Sequence, residues 1–253
     1  MTTPRHITKL SDFLRYLERG IGDIPFTIYR GQREDWPLLP KLARCDLMGG
    51  TSDEVESKMF ADFMRAAPLL VAAPPDNNWD WLAIAQHHRL STRLLDWTKN
   101  PLCALWFAVR KPATDATKYG VVWAFTPEDQ DIVRDVKGTP SRFDKSVAAG
   151  SPLSVPRTMV FEPRYVTARI RAQEGLFTVH RFSESARRFV PLEKNKAYRC
   201  RLEKVIIPAS SFATLRWQLL SCGVHSGSLF PDLDGLASRL EIEYVRSADM
   251  PIA

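Results

Sequence analysis

The sequence predicts a single mixed α+β domain, with helices concentrated in the N-terminal half around a small mixed β-sheet core. Three observations lead there. The 253 residues are 45% hydrophobic and 25% charged, the balance of a globular chain long enough to bury a sizeable core. Segments with apolar residues at helical spacing crowd the first half, whereas short β-branched and aromatic runs are spread through the second. The chain also lacks a βαβ rhythm, a Gly-x-Gly-x-x-Gly turn, a phosphate-loop motif and any internal repeat. No linker divides it, so one domain is expected over residues 1–253.

Taken in order, Thr8 caps a helix carrying Leu10, Phe13, Leu14 and Leu17, which Gly20 stops. Residues 26–31 read as a short strand closing on Gly31. Pro37 and Pro40 break the following loop, with Trp36, Leu38 and Leu39 as anchors. Ser52 starts a helix with Val55, Met59, Phe60 and Phe63 on one face. A Pro-rich connection leads to a helix over 79–88, and Asn100-Pro101 opens another through Val109, Asn as cap and Pro at the first turn. Residues 119–125 are a strand, and signals are weak over 128–155. Pro163 begins a helix to Ala172, and strands follow over 175–181 and 199–208. Ser210 caps a helix to Cys222 that Gly223 ends. Ser228 opens a last helix to Leu240, and residues 241–245 alternate like a closing strand.

The net charge of +6 favours an anionic partner, though an ordinary solvated surface gives the same figure. Cys45, Cys103, Cys200 and Cys222 are scattered without a Cys-x-x-Cys pair, so structural zinc is not expected. The first nine residues carry charge and no apolar core of a signal peptide, and no run approaches 18 apolar residues. A cytoplasmic protein with reduced thiols, away from membranes, is the expectation.

Three segments place polar residues where a core pattern should have none. Tyr29-Arg30-Gly31-Gln32 puts an Arg at a strand end, where a planar guanidinium can hold a phosphate or carboxylate bidentately and the glycine admits a ligand to the backbone. An Arg stitching a loop to a carboxylate is the structural alternative. Residues 86–98 mix His87, His88, Thr92, Arg93, Asp96 and Trp97 between two apolar stretches, with Asp96 more readily a loop staple than a catalytic acid. If this segment is extended, His88, Thr92 and Asp96 face one side. Residues 169–177 join a helix to a strand through Gln173-Glu174-Gly175, either facing a ligand or forming an ordinary Gly-ended helix.

These blocks resemble the FRG domain family, named for a Phe-Arg-Gly motif in which Tyr29 stands for the Phe. Tyr29-Arg30-Gly31-Gln32 with Trp36-Pro37-Leu38-Leu39-Pro40 resembles the opening block. Ala85-Gln86-His87-His88, Leu94-Leu95-Asp96-Trp97-Thr98 and Asn100-Pro101 resemble the central signature, with Arg89 where the family has Gly. Ala172-Gln173-Glu174-Gly175-Leu176-Phe177 and Leu229-Phe230-Pro231-Asp232 resemble later blocks, so the likeness spans roughly residues 26–240.

The order of these blocks is similar to that of ADP-ribosyltransferases, and this implies an ADP-ribosyltransferase-like fold, NAD as co-substrate and no metal. In that reading Arg30 with Gly31 and Gln32 clamps the diphosphate, and His88 or Thr92 holds a ribose hydroxyl. Trp97 or Tyr29 stacks on nicotinamide, and Gln173 or Glu174 orients the acceptor, with Glu56, Asp96 and Asp232 as further acids. Residues 151–210 carry 12 Lys and Arg against 5 Asp and Glu, among them Arg181, Arg187, Arg188, Lys194 and Lys196, with Phe177, Phe182, Phe189 and Tyr198 interleaved. That suits a DNA or RNA acceptor whose base is modified, or else a solvated face over core aromatics. A non-enzymatic nucleotide- or nucleic-acid-binding module and a metal-dependent nuclease are the alternatives, and an antitoxin or regulatory partner stays open.

Overall fold

The computed structural model describes residues 5–18, 26–113, 115–133 and 150–245. Its elements are β1 (Arg5–His6), α1 (Leu10–Glu18), β2 (Ile28–Gln32), α2 (Ser52–Ala66), α3 (Asn78–His87), β3 (Leu94–Thr98), α4 (Pro101–Val109), β4 (Tyr119–Phe125), β5 (Met159–Phe161), α5 (Ala168–Ala172), β6 (Gly175–Val179), β7 (Phe182–Ser183), β8 (Arg188–Phe189), β9 (Leu202–Pro208), α6 (Phe212–Ser221), α7 (Ser226–Leu229) and α8 (Leu233–Tyr244). The fold is mixed α+β. Seven strands form one sheet in the order β1-β9-β4-β2-β3-β6-β5, and β7 and β8 form a separate hairpin. Only β1, beside β9, runs parallel to its neighbour; the other sheet pairings are antiparallel.

Side-chain alternation along the strands divides the core between the two sheet faces. Helices cover one face. There α1, α4 and α6 pack around Phe13, Leu105, Val122 and Phe212, and α2, α3 and α5 around Phe60, Leu82, Leu94 and Phe177. Irregular segments cover the other face, where Leu38, Leu192 and Tyr198 meet Ile28, Leu95, Trp97 and Phe125.

Two sequence devices set the helices beside the future site. Asn77 accepts from the amide of Asp80 and starts α3, whose residues from Trp79 to Ala85 are all buried. Asn100 accepts from the amides of Leu102 and Cys103 and starts α4, with Pro101 at its first position. α4 then lies directly on β2. A Cβ built at Gly31 would overlap the carbonyl oxygen of Ala104, so the glycine admits a helix backbone here rather than a ligand.

Several boundaries differ from the sequence reading. The helix expected from Pro163 is only Ala168–Ala172, because Thr167 caps it by accepting from the amide of Ile170. Residues 180–181 and 199–201 lie outside β6 and β9, the latter forming a 3-10 turn. The helix to Cys222 begins at Phe212 after a 3-10 turn, and Gly223 ends it with φ +78°. The last helix is two: α7 stops before Pro231, and Asp232 recaps α8 by accepting from the amide of Gly235. No closing strand forms over 241–245, because α8 runs on to Tyr244. Gly20, Gly138 and Pro140 lie outside the described residues.

Candidate functional site

A cavity of about 800 Å³ opens on the helix side, between α3, α4, α5, the α7–α8 pair and residues 41–44. That is the size range of small-molecule sites. Its lining is unevenly charged: Lys41, Arg44, Arg89, Arg110, Lys111 and Arg169 face Asp96, Asp232 and Asp234.

The centre of the site is a relay of hydrogen bonds. α3 ends at His87, and Arg89 follows with φ +68°, its amide donating to the Gln86 carbonyl while Leu90 donates to that of Ala85. This pair of bonds is the Schellman ending, and it turns the chain back toward β3. The turn places Thr92 under Gln86, whose side-chain carbonyl accepts from the Thr92 hydroxyl at 2.7 Å. The Gln86 amide in turn donates to both carboxylate oxygens of Asp96 at 3.3 Å. Asp96 is the one outward residue of β3, with its side chain 61% exposed in the cavity.

The second wall comes from α5, α7 and α8. Gln173 lines the cavity and donates to the Leu229 carbonyl at 3.0 Å, which ties α5 to α7. Arg169 stacks over the Phe230 ring at 4.3 Å, and Trp106 and Phe230 are 5.8 Å apart. Burial lowers the pKa of Arg169, Asp96 and Asp232 pull it back up, and Arg89 adds to the lowering. His87, also on the wall, is lowered by burial and by repulsion from His88 and Arg169, against an upward pull from Asp232. Its imidazole is therefore biased to the neutral form.

The residues singled out from sequence fall into three groups. Asp96, Gln173, Asp232 and Trp97 reach the cavity wall. Asp232 is committed as the cap of α8, and Trp97 cannot stack on a ligand. It is 3% exposed, and its indole donates to Thr178 at 2.9 Å. A second group lies just behind or beside the wall. Thr92 is fully buried and acts on Gln86 rather than on a ligand. Arg30 donates to the Asp96 carbonyl at 2.6 Å, with 3.8 Å to its carboxylate, in the stretch where β2 and β3 pair only at Tyr29 and Thr98. Burial lowers its pKa, with Asp96 opposing and Arg44 adding to the shift.

The third group is elsewhere. Tyr29 projects from the opposite sheet face to Arg30, into the α1–α4–α6 cluster, and Gln32 is buried, accepting from the Trp123 indole. His88 is exposed at the end of α3, stacked edge-on to His87, so it shares no strand face with Thr92. Glu174 is exposed outside the lining, in a left-handed conformation at φ +46°, accepting from Asn100. Glu56 is 1% exposed and saturated by the Arg93 amide and guanidinium at 2.6 and 2.7 Å. Burial raises its pKa against the pull of Arg93. Arg30, His88, Thr92 and Gln173 therefore do not line one cleft.

Arg181, Arg187, Arg188, Lys194 and Lys196 are exposed, but Phe177, Phe182, Phe189 and Tyr198 are all buried and offer no stacking platform. Sequence reasoning missed Gln86, His87, Arg169 and Ser226 as wall residues. The available signal was that Gln86 and His87 are the first polar residues after a wholly buried helical run. Among the described residues no group of three or more His, Cys, Asp or Glu could hold a metal ion. No helix among those residues is long and apolar enough to cross a membrane.

The fold is an α+β sheet domain with a cationic cavity on its helix side. Residues 26–117 match the model of the FRG domain, so this segment of the chain is similar to that family. The match takes in the opening block at Arg30-Gly31 and the Gln86–Asp96 relay, and stops short of the wall built by α5, α7 and α8. No curated protein matches significantly, and no solved structure does.

Proposed function

We propose that the cavity binds NAD and that the protein is an ADP-ribosyltransferase-like FRG protein acting on nucleic acid. The observation that carries the reading is Asp96, held open by Gln86 within a cavity whose charge is otherwise mostly positive. Cations along the wall suit a diphosphate, and a single fixed carboxylate suits the positive charge that develops on a ribose as its bond to nicotinamide breaks. In that step the C1′–N bond breaks with its electron pair going to nicotinamide. A lone pair of the acceptor forms the new bond to C1′, and Asp96 takes the acceptor's proton. Asp96, one of the further acids of the resemblance, thus takes the role that it gave to Gln173 or Glu174, and Thr92 and Gln86 are positioning residues behind it.

Support for a polyanionic acceptor comes from the route to the cavity. The β7–β8 hairpin, bearing Arg187 and Arg188, packs through Phe182 and Phe189 on Leu42, between the wall residues Lys41 and Arg44. Its contribution is phosphate attraction alone, since the nearby aromatics are buried.

A second reading, a nucleotide-binding module without turnover, is favoured by Glu174 lying outside the cavity. Incubating the full chain with NAD, alone and with DNA or RNA, and measuring nicotinamide and the mass of the acceptor separates the two. Nicotinamide release that Asp96→Asn abolishes supports the transferase. Binding of NAD without release, with every acceptor, supports the module, and no binding of NAD overturns both.

A further inference from the structure

Three guanidinium groups line the cavity, Arg89 just after α3, Arg110 just after α4 and Arg169 on α5. Arg169 feels repulsion from Arg89, and Arg110 feels it from Arg33 and then from Arg169. Like charges repel, so such a cluster is unfavourable unless something neutralises it. Yet among the described residues none of the three makes an ion pair with a carboxylate; Asp96 and Asp232 act on Arg169 only at longer range. Instead aromatic rings hold two of them in place: Arg169 over Phe230 at 4.3 Å, and Arg110 over Phe107 at 5.6 Å and Trp106 at 6.0 Å. Stacking fixes a guanidinium plane while leaving its N–H edge open to a planar or tetrahedral oxyanion.

A second observation is independent of the charges. Ser226, 5% exposed, is on the cavity wall, and its hydroxyl is buried with no hydrogen-bond partner among the described residues. Buried hydroxyls are normally satisfied, so an unpaired one on a residue that lines the cavity is a donor without an acceptor inside the described fold. Arg89 adds a third: it occupies a left-handed backbone position that L side chains rarely adopt, with its side chain on the same wall.

We infer that this wall is a built oxyanion subsite for the diphosphate of a nucleotide, Arg169 being the bidentate clamp, Arg89 and Arg110 its flanking charges, and Ser226 a neutral donor. The name of the ligand rests on the NAD reading above; the oxyanion chemistry rests on these four residues. The subsite takes over the role that the sequence assigned to Arg30.

The experiment is calorimetry on the full chain with inorganic pyrophosphate, ADP-ribose and NAD in turn, comparing Arg169→Gln, Arg169→Lys, Arg89→Gln and Ser226→Ala, with Arg65→Gln, on the exposed face of α2, as the control. Pyrophosphate is expected to bind the wild type and compete with ADP-ribose. Arg169→Gln weakens it at least about tenfold, Arg169→Lys recovers little, and Ser226→Ala weakens it about threefold while its melting temperature holds or rises, because the lost hydroxyl had no internal partner. Wild-type pyrophosphate affinity in Arg89→Gln and Ser226→Ala, or an equal loss in Arg65→Gln, overturns the subsite, as does failure of the wild type to bind pyrophosphate. Pyrophosphate binding that these variants weaken, in a protein that ignores NAD, keeps the subsite and overturns the NAD reading. NAD turnover with unchanged pyrophosphate affinity does the reverse.

Discussion

The side-chain amide of Gln86 sits astride both carboxylate oxygens of Asp96, 3.3 Å from each, while its own carbonyl accepts from Thr92. The acid in the cavity is thus aimed from behind by a residue on another element. Asp96→Asn should lower nicotinamide release at least about a hundredfold with NAD affinity little changed, the signature of an interaction made in the transition state. Thr92→Val should lower kcat about tenfold at unchanged KM, and Thr92→Ser should restore it. A loss in Thr92→Val that appears in stability alone would make the relay purely structural.

Gly31 is read differently once α4 is in view. With the Ala104 carbonyl filling the place of a side chain, Gly31→Ala must push helix and strand apart, at a cost of about 3 kcal/mol or more. Denaturant unfolding measures it directly. A variant as stable as wild type, with a defect in ligand binding only, would return the glycine to a ligand-facing role.

Arg30→Ala is expected to act on the fold, since the guanidinium supplies a donor to the Asp96 carbonyl where β2 and β3 have parted. The loss should be about 2 kcal/mol. Arg30→Lys recovers part of it, because an ammonium can also donate to a carbonyl. Pyrophosphate affinity in Arg30→Lys should stay near wild type; a collapse there would move Arg30 into the ligand's contacts.

Arg187→Glu with Arg188→Glu tests the hairpin. If these cations meet phosphates, the double variant binds single-stranded DNA or RNA more weakly, and the dependence of log affinity on log salt becomes shallower by about 1.4 or more, at roughly 0.7 per contact removed. Equal affinity and equal salt slope would assign both residues to solvation.

Acid should destabilise the protein through His180. Burial, with Arg30 adding to it, lowers its pKa from 6.5 to about 3. The unfolded chain therefore takes up a proton that the folded chain refuses. Stability contributed by the neutral ring is complete above pH 6.5 and declines as pH falls toward 3, by about 1.4 kcal/mol per unit. His87 adds in the same direction over the upper part of that window. His180→Gln should show a shallower fall in unfolding free energy between pH 6 and pH 4 than wild type.

The legible parts of this fold were those written in local chemistry. Asn100-Pro101 announces α4 because both a cap and a fixed φ act within one turn. The stretch Glu241-Ile242-Glu243-Tyr244-Val245 alternates like a strand, yet Asp232 starts a helix that carries through Tyr244, a cap upstream outweighing the local pattern. β5, three residues long, is too short to show a period, and it exists because β6 offers it an edge. At the site, Gln173 could be found as a polar residue at a helix end, and Asp96 as a lone charge within an apolar run. The link from Gln86 to Asp96 could not, because ten residues and a left-handed turn at Arg89 separate them. Arg30 misled for a related reason: it reads as a strand end but is the central residue of β2, paired with Trp123 of β4, and the parting of β2 from β3 that draws it to a backbone carbonyl is a tertiary event.

The sheet order carries a consequence for the segment 26–117. Residues 26–117 contain β2 and β3, which meet at one register position, while the strands that flank them, β4 and β6, both lie beyond residue 117. A peptide cut to those limits would keep Gln86 and Asp96 but expose the open side of both strands, inviting association between copies. The matched stretch is therefore part of a larger cooperative body, whose sheet is completed by strands downstream of it.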